Sequence, residues 1–201
     1  MAVTAHNEAP PVRRPRGRPR DPRVEGVVLG ATRDLLLSKG FGGLTIAAVA
    51  EQAGVGKGTI YLRWPDKEAL VVAALREAWK PSDAPDTGSL RGDLEALMRA
   101  AADGMNNVPG ALFVSLLGEL GANDGLRALY DDLVVRPWDA ALGTVLSRAS
   151  DRGELRPDVD MRLASDSFWG GLLSARVLRG KRITPKHAAA LVDVFLAGVA
   201  R

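Results

Sequence analysis

Between Leu44 and Leu70 the chain sets small, glycine and β-branched residues at spacings that leave little choice of local structure. Thr45 can N-cap a helix over 46–52, because its hydroxyl can accept from a backbone N–H that has no partner inside the helix. Ala50, Gly54 and Ile60 follow at spacings of four and six residues. Ala50 is small where two helices cross, and Gly54 can take the positive φ of a tight turn. Ile60 faces inward and pins a second short helix against the first. A helix over 46–52, a turn over 53–55 and a helix over 57–63 are the parts of a helix-turn-helix.

The flanking segments extend this unit. Asp21-Pro22 reads as the N-cap and first residue of a helix over 22–39, with Val24, Val28, Ala31 and Leu35 at helical spacing and Gly40 as its left-handed end. Asp66 reads as the N-cap of a fourth helix whose stripe runs through Leu70, Ala74 and Leu75 towards Trp79. The helix over 57–63 opens on Gly56-Lys57-Gly58-Thr59, although a glycine inside a helix costs ~1 kcal/mol against alanine. Lys57 and Lys67 both stand near helix N-termini, the unfavourable end of the dipole for a cation. A phosphate accounts for both oddities: Gly58 admits it closely, Lys57 neutralises it and free N–H groups donate to it. Thr59, Tyr61 and Arg63 fall on the outer face, and Trp64 is expected to be core.

Net charge is only +3, but it is unevenly spread. Residues 13–80 hold thirteen Lys/Arg against seven Asp/Glu, whereas residues 81–201 hold fourteen against sixteen. A basic front half on a near-neutral back half points to a polyanion-binding module joined to something else. Within the front half, the prolines of Arg13-Arg14-Pro15-Arg16-Gly17-Arg18-Pro19-Arg20 oppose a helix. The extended strip is slim enough for a minor groove, where Arg16 and Arg18 would meet strong negative potential. Its Arg-Gly-Arg-Pro core resembles the AT-hook peptide. Residues 1–20 are expected to be a disordered basic arm.

The run Leu44-Thr45-Ile46-Ala47-Ala48-Val49-Ala50-Glu51-Gln52-Ala53-Gly54-Val55, continued by Gly56-Lys57-Gly58-Thr59-Ile60-Tyr61-Leu62-Arg63-Trp64-Pro65-Asp66-Lys67-Glu68-Ala69-Leu70, resembles the DNA-binding domain of the TetR family of transcriptional regulators. Lys39-Gly40-Phe41 fits the same pattern, and the similarity covers about residues 24–75. Gly56 stands where the family often has Ser, which removes a side-chain cap. Arg63-Trp64 stands where His-Phe or Tyr-Phe is common, which shifts base or phosphate preference. The resemblance implies a helix-turn-helix DNA-binding domain over 21–66 and a helical effector-binding and dimerisation domain over 67–201. Lys57, Lys67 and the Thr45 hydroxyl would hold phosphates, with Gly58 close to the backbone. Thr59, Tyr61 and Arg63 would lie nearest the bases, and Arg16 and Arg18 in the flanking minor groove.

Periodicity along the remainder predicts helices and no convincing strand. Ser89 caps a helix over about 90–107, and Pro109 begins another that carries Leu112, Phe113, Leu116, Leu117 and Leu120. A longer pattern, Leu126 to Ala149, contains Pro137 and is expected to kink or break near Val135. Asp160 caps a helix over 161–179, and Thr184-Pro185 starts the last. The chain is thus expected to be all-α, with about nine helices.

The family resemblance implies a small-molecule cavity among these helices. Its candidates are Leu97, Met98, Met105, Phe113, Leu117, Tyr130 and Trp138, and with almost no buried charge in view its ligand is expected to be apolar. The resemblance also implies that the last two helices pair with those of a second copy as a four-helix bundle. Phe168, Trp169, Gly171, Leu172, Leu191 and Phe195 are the candidate contacts.

Catalytic chemistry has little material here. Cysteine is absent, which excludes disulfides, thiolate metal sites and cysteine nucleophiles and fits a reducing compartment. The two histidines, His6 and His187, assemble no Ser-His-Asp arrangement, and neither His-x-x-x-His nor Glu-x-x-His occurs. The Asp131-Asp132 pair reads as a solvated face. Gly54-Val55-Gly56-Lys57-Gly58-Thr59 is no phosphate-binding loop, since a helix precedes it and Gly58 stands where Ser or Thr must follow the lysine. No enzymatic activity, cofactor or metal is expected. No segment supplies the ~20 apolar residues of a membrane span, and residues 1–12 lack a signal peptide's charged start, so a cytoplasmic location is expected. The leading expectation is a homodimeric regulator of double-stranded DNA, a repressor released from a near-palindromic operator by a small effector. The competing one is an architectural protein that grips any A·T-rich duplex through its arm.

Overall fold

The computed structural model describes residues 22–78 and 83–201, so the arm, the Asp21 cap and Trp79 lie outside the described residues. Helices α1 (Pro22–Gly43), α2 (Ile46–Ala53), α3 (Lys57–Tyr61) and α4 (Lys67–Ala78) form the front of the chain. They are followed by α5 (Leu90–Asn106), α6 (Val108–Ala122), α7 (Asp124–Tyr130), α8 (Arg136–Asp151), α9 (Met161–Leu173) and α10 (Pro185–Val199). A π-helical turn, Asp131–Val135, joins α7 to α8 without a break, and a second, Ser174–Leu178, extends α9. Counting α7 and α8 as one rod, the described residues form nine helices, and the all-α expectation holds. The one β-type pairing among them is an antiparallel bridge between Leu155 and Ala200.

Local sequence explains where these helices begin. Thr45 Oγ1 accepts from the Ala48 N–H at 3.1 Å, and Asp66 Oδ1 from the Ala69 N–H at 2.7 Å. Ser89 Oγ accepts from the Gly92 N–H at 3.2 Å, and Thr184 Oγ1 from the His187 N–H at 3.2 Å. Asp160 Oδ1 takes two such donors, Arg162 and Leu163, at 2.9 and 3.0 Å. Each cap satisfies an orphan donor and stabilises its helix by ~1 kcal/mol. Helices α3 and α6 have no such cap: Asn107 makes no side-chain capping bond to α6, Gly56 offers α3 no side chain, and α3 stops at Tyr61 instead of running to 63. Near Val135 the expected kink takes a particular form. Pro137 has no N–H and its ring crowds the carbonyl of Leu133, so the helix widens into the Asp131–Val135 π turn rather than ending.

Apolar side chains gather into two cores. The first joins α1 to α4 through Val28, Leu36, Val49, Ile60, Leu70 and Leu75, and takes Leu112 and Leu116 from α6, Leu126 from α7 and Val134 from the π turn. The second lies among α5, α8, α9 and α10 and takes Phe113 from α6. Neighbouring residues Leu112 and Phe113 therefore serve different cores, and α6 is the wall between them. Helix α4, which the expected boundary at 66/67 groups with the second unit, buries Leu70, Val71, Val72, Ala74 and Leu75 in the first core. An Arg33–Glu77 ion pair closes α1 against α4.

One polar cluster sits beside the second core. Asp93 is fully buried, and its Oδ1 accepts from the Thr87 N–H at 2.6 Å and the Thr87 hydroxyl at 2.7 Å. Arg152 Nη2 lies 3.6 Å from its other oxygen. Glu154 accepts from the Leu90 N–H at 2.7 Å and pairs with Arg152, which ties the start of α5 to the end of α8.

Candidate nucleic-acid interface and ligand cavity

Helix α2 ends at Gly54, whose φ of 65° and ψ of 32° turn the chain into α3. The Val55 N–H then donates back to the Ala50 carbonyl at 3.0 Å. That turn and the fully buried Ile60 decide which face of α3 looks outward. Lys57 and Gly58 are exposed, Thr59 is half-buried, and Tyr61 is 53% exposed. Trp64 is core, as its sequence context suggests. Arg63 is half-buried, with Nη1 3.5 Å from the Thr59 carbonyl oxygen, so its guanidinium lies back along α3. Leu62 was not foreseen, yet at 84% it is more exposed than Tyr61. An apolar residue held out beside the polar face suits contact with a thymine methyl, and its place next to an outward-facing tyrosine was the available signal.

Thr45 is exposed, and although its oxygen caps α2 its own proton remains available to donate. Lys67 is more occupied: Nζ donates to the Phe41 carbonyl at 3.2 Å and stands 3.9 Å over the Phe41 ring. Arg16 and Arg18 lie outside the described residues.

Only part of the expected ligand set converges. Met105, Tyr130 and Trp138 line a cavity of about 100 Å³ together with Val134, Asp139 and Trp169. Leu97 and Met98 are buried core and do not line it. Phe113 and Leu117 line a separate apolar groove of about 250 Å³, which meets the cavity at Leu173. Phe113 stacks on Tyr130, with ring centroids 5.6 Å apart at 24°. Trp138 and Trp169 meet edge to face at 5.6 Å and 82°. Burial raises the pKa of the Tyr130 phenol, which keeps it protonated. Sequence reasoning missed Asp139, whose Oδ1 accepts from the Ser165 hydroxyl at 2.7 Å and the Trp169 Nε1–H at 3.0 Å. The signal was there: Asp139 follows Val135 by four and precedes Leu142 by three, a carboxylate on the inward stripe of α8.

The expected dimer contacts also divide. Phe168 and Leu172 are each 2% exposed and Phe195 7%, all within the second core of a single chain. The Phe168 and Phe195 rings meet at 5.0 Å, and Trp169 turns towards α8. A Cβ added at Gly171 would lie 2.7 Å from Leu191 Cδ2, so this glycine is what lets α10 approach α9. Within one chain these residues pack α9 against α10. Phe168, Gly171, Leu191 and Phe195 nevertheless also line an open groove of about 520 Å³, whose most exposed apolar residues are Leu163 and Val194.

Among the described residues no three potential ligands converge as a metal site, and no helix is long and apolar enough to cross a membrane. A short helix turned outward by a left-handed glycine, anchored on a buried isoleucine and carried by a helical body, defines a DNA-binding transcriptional regulator of the helix-turn-helix class. Residues 28–74 match the family model for bacterial regulatory proteins of the tetR family, and residues 84–195 match that for the tetracyclin repressor-like C-terminal domain. The chain belongs to the TetR family of transcription regulators, which are DNA-binding proteins and not enzymes.

Relatives agree along nearly the whole length. The HTH-type transcriptional regulator YdeS of Bacillus subtilis strain 168 is 30% identical over 185 residues, covering 92% of this chain and 93% of that one. A DNA-binding transcriptional repressor TetR of Mycobacteroides abscessus is 31% identical over 175 residues, covering 84% and 90%. The solved TetR family transcription regulator SCO0332 is 31% identical, with a TM-score of 0.67 over 89% of this chain and 100% of that one. FadR from Bacillus subtilis, solved in complex with stearoyl-CoA, is 18% identical and shares the fold, with a TM-score of 0.73 over 86% and 98%.

Proposed function

We propose that the protein is a homodimeric repressor, released from a near-palindromic operator when a small molecule fills the cavity between α5, α8 and α9. The observation that carries this is α3, with Lys57, Gly58 and Tyr61 exposed above the buried Ile60. Two such helices one duplex turn apart, ~34–36 Å, read successive major grooves. Lys57, Thr45 and, on leaving Phe41, Lys67 hold phosphates. Thr59, Tyr61 and Arg63 lie nearest the bases, and Arg16 and Arg18 enter the flanking minor groove. The second copy covers the groove bordered by Leu163 and Val194. The repressor reading is supported by the name of the Mycobacteroides abscessus relative, and the cavity reading by the stearoyl-CoA that Bacillus subtilis FadR holds in this fold. The protein acts in the cytoplasm, where it meets DNA.

Val134 supports the link between cavity and DNA. It lines the cavity and also belongs to the first core, where it packs among residues of α1 to α4. A ligand that presses on the π turn favours one position of the helix-turn-helix over another. The division into an arm over 1–20, a head over 21–66 and a body over 67–201 then works through α4 and α6, which join head to body.

Fluorescence anisotropy with a palindromic duplex from the DNA flanking the gene tests this. The expected result is salt-sensitive binding, lost about tenfold or more in the Lys57→Ala/Tyr61→Ala double variant and only weakened by removal of residues 1–20. Unchanged binding by the double variant overturns the assignment of α3. Equal affinity for any A·T-rich duplex, abolished with the arm, makes the protein architectural instead.

A further inference from the structure

We infer that the ligand of this cavity is an amphiphilic organic cation: an ammonium head group held among Tyr130, Trp138, Trp169 and Asp139, with an apolar tail. This names the effector class for the regulator proposed above and rests on that proposal. Asp139 is half-buried, and Ser165 and Trp169, both neutral, are its hydrogen-bond donors. Asp131 and Asp132, in the same helical rod, are both paired with Arg136. Asp139 has no Lys, Arg or His within 4.0 Å among the described residues, although Arg162 lines the groove on its outer side. The carboxylate is thus hydrogen-bonded but without an ion-pair partner within that distance, beside a cavity with aromatic walls.

Chemistry narrows the occupant. An anion is repelled by Asp139, and a neutral apolar group would strip water from the carboxylate and return nothing. A hard metal ion needs six or more oxygen ligands, where this cavity has a single carboxylate in its lining. An ammonium group satisfies both features at once, the charge at Asp139 and the electron-rich faces of the rings. Tyr130 contributes as a neutral ring, since burial keeps its phenol protonated. Size sets the rest. About 100 Å³ is well short of the ~300–1,000 Å³ of a complete ligand site, so only a head group fits. Leu173 borders both this cavity and the apolar groove of Phe113, Leu117, Val177 and Leu178, which offers the path for a tail. Both π turns also border this system, Val134 and Val135 on the cavity and Ser174 and Val177 on the groove, and such turns recur at functional sites.

The test titrates the full chain with hexyltrimethylammonium chloride and with a neutral analogue in which a quaternary carbon replaces the nitrogen. Calorimetry and tryptophan fluorescence are the readouts, at constant chloride. The cation is expected to bind about tenfold or more tightly than the analogue. Asp139→Asn keeps an oxygen for Ser165 and Trp169, and is expected to remove most of that preference while leaving the analogue's affinity unchanged. Equal or tighter binding of the neutral analogue by the native protein overturns the proposal, whether or not the variant folds. So does a preference that survives in a folded Asp139→Asn protein. Operator binding without ligand is measured alongside: a protein that binds its duplex yet prefers the neutral analogue remains a regulator and loses only this ligand class.

Discussion

The Lys67 ammonium donates to the Phe41 carbonyl oxygen at 3.2 Å and lies 3.9 Å from the centroid of the Phe41 ring. One side chain thereby fastens the first residue of α4 to the segment just beyond Gly40, where α1 turns through a φ of 68°. A cation over an aromatic face at a partly exposed site contributes ~0.5–1 kcal/mol. Lys67→Met is therefore expected to lower the unfolding free energy by about that amount. It should also change the salt dependence of duplex binding less than Lys57→Ala, which removes an exposed charge from each protomer of the proposed dimer and should reduce the slope by about 1.8, that is ~0.9 per lost phosphate contact. Plots of log affinity against log salt for both variants check this. Equal losses of slope would mean that Lys67 leaves Phe41 to hold a phosphate in the complex.

Ile60 and Tyr61 are adjacent and opposite in role. Ile60→Ala leaves a cavity in the first core, and thermal or denaturant unfolding should show a loss of about 2–5 kcal/mol. Tyr61→Ala removes a side chain that is 53% exposed, so stability should stay within about 0.5 kcal/mol while duplex affinity falls. A Tyr61→Ala protein that loses stability but not affinity would make the ring structural.

What the sequence revealed and what it hid follow from how local each determinant is. Thr45, Asp66, Ser89, Asp160 and Thr184 cap helices within a few residues of themselves, so their roles could be read directly. Gly54 was equally legible, because a positive φ is a property of one residue. Pro137 announced a disturbance, but whether the helix would break or widen depended on packing against α4 and α9. The second π turn, Ser174–Leu178, has no proline to announce it. Long-range choices were least legible. Phe168, Leu172 and Phe195 are apolar at helical spacing, and that pattern cannot tell a partner chain from a core shared by α9 and α10. Asp139 was passed over because a carboxylate is ordinarily solvated, and only the fold brings the Ser165 hydroxyl and the Trp169 indole N–H to it.

The outer face of α9 and α10 gives a prediction that separates assembly from folding. Val194 is 75% exposed and Leu163 64%, both beside the same open groove. Val194→Glu places a charge there without touching the second core. Light scattering should show the proposed dimer replaced by monomer, with helical circular dichroism retained. Phe195→Ala should instead destabilise each chain by about 3–5 kcal/mol, since its ring packs on Phe168 inside the core. A dimer that persists in Val194→Glu would move the pairing surface elsewhere.

Acid should loosen the joint between α5 and α8. The Arg152 side-chain hydrogen bond first, and the Leu90 N–H second, hold the Glu154 carboxyl below its ordinary pKa. With the folded pKa lowered, the unfolded chain binds more protons between the two values, so stability rises with pH across that window. The contribution is complete above the ordinary carboxylate value of ~4.3 and is lost as pH falls through the lower folded value. Glu154→Gln still offers an oxygen to the Leu90 N–H but carries no charge for Arg152. At neutral pH the variant should be less stable by no more than about 1 kcal/mol, because water screens a partly exposed pair. Below the window the two proteins should melt alike. Thermal melts at neutral pH and at two acid values on either side of the window decide the matter, since a deficit independent of pH would trace to packing and not to the Glu154 charge.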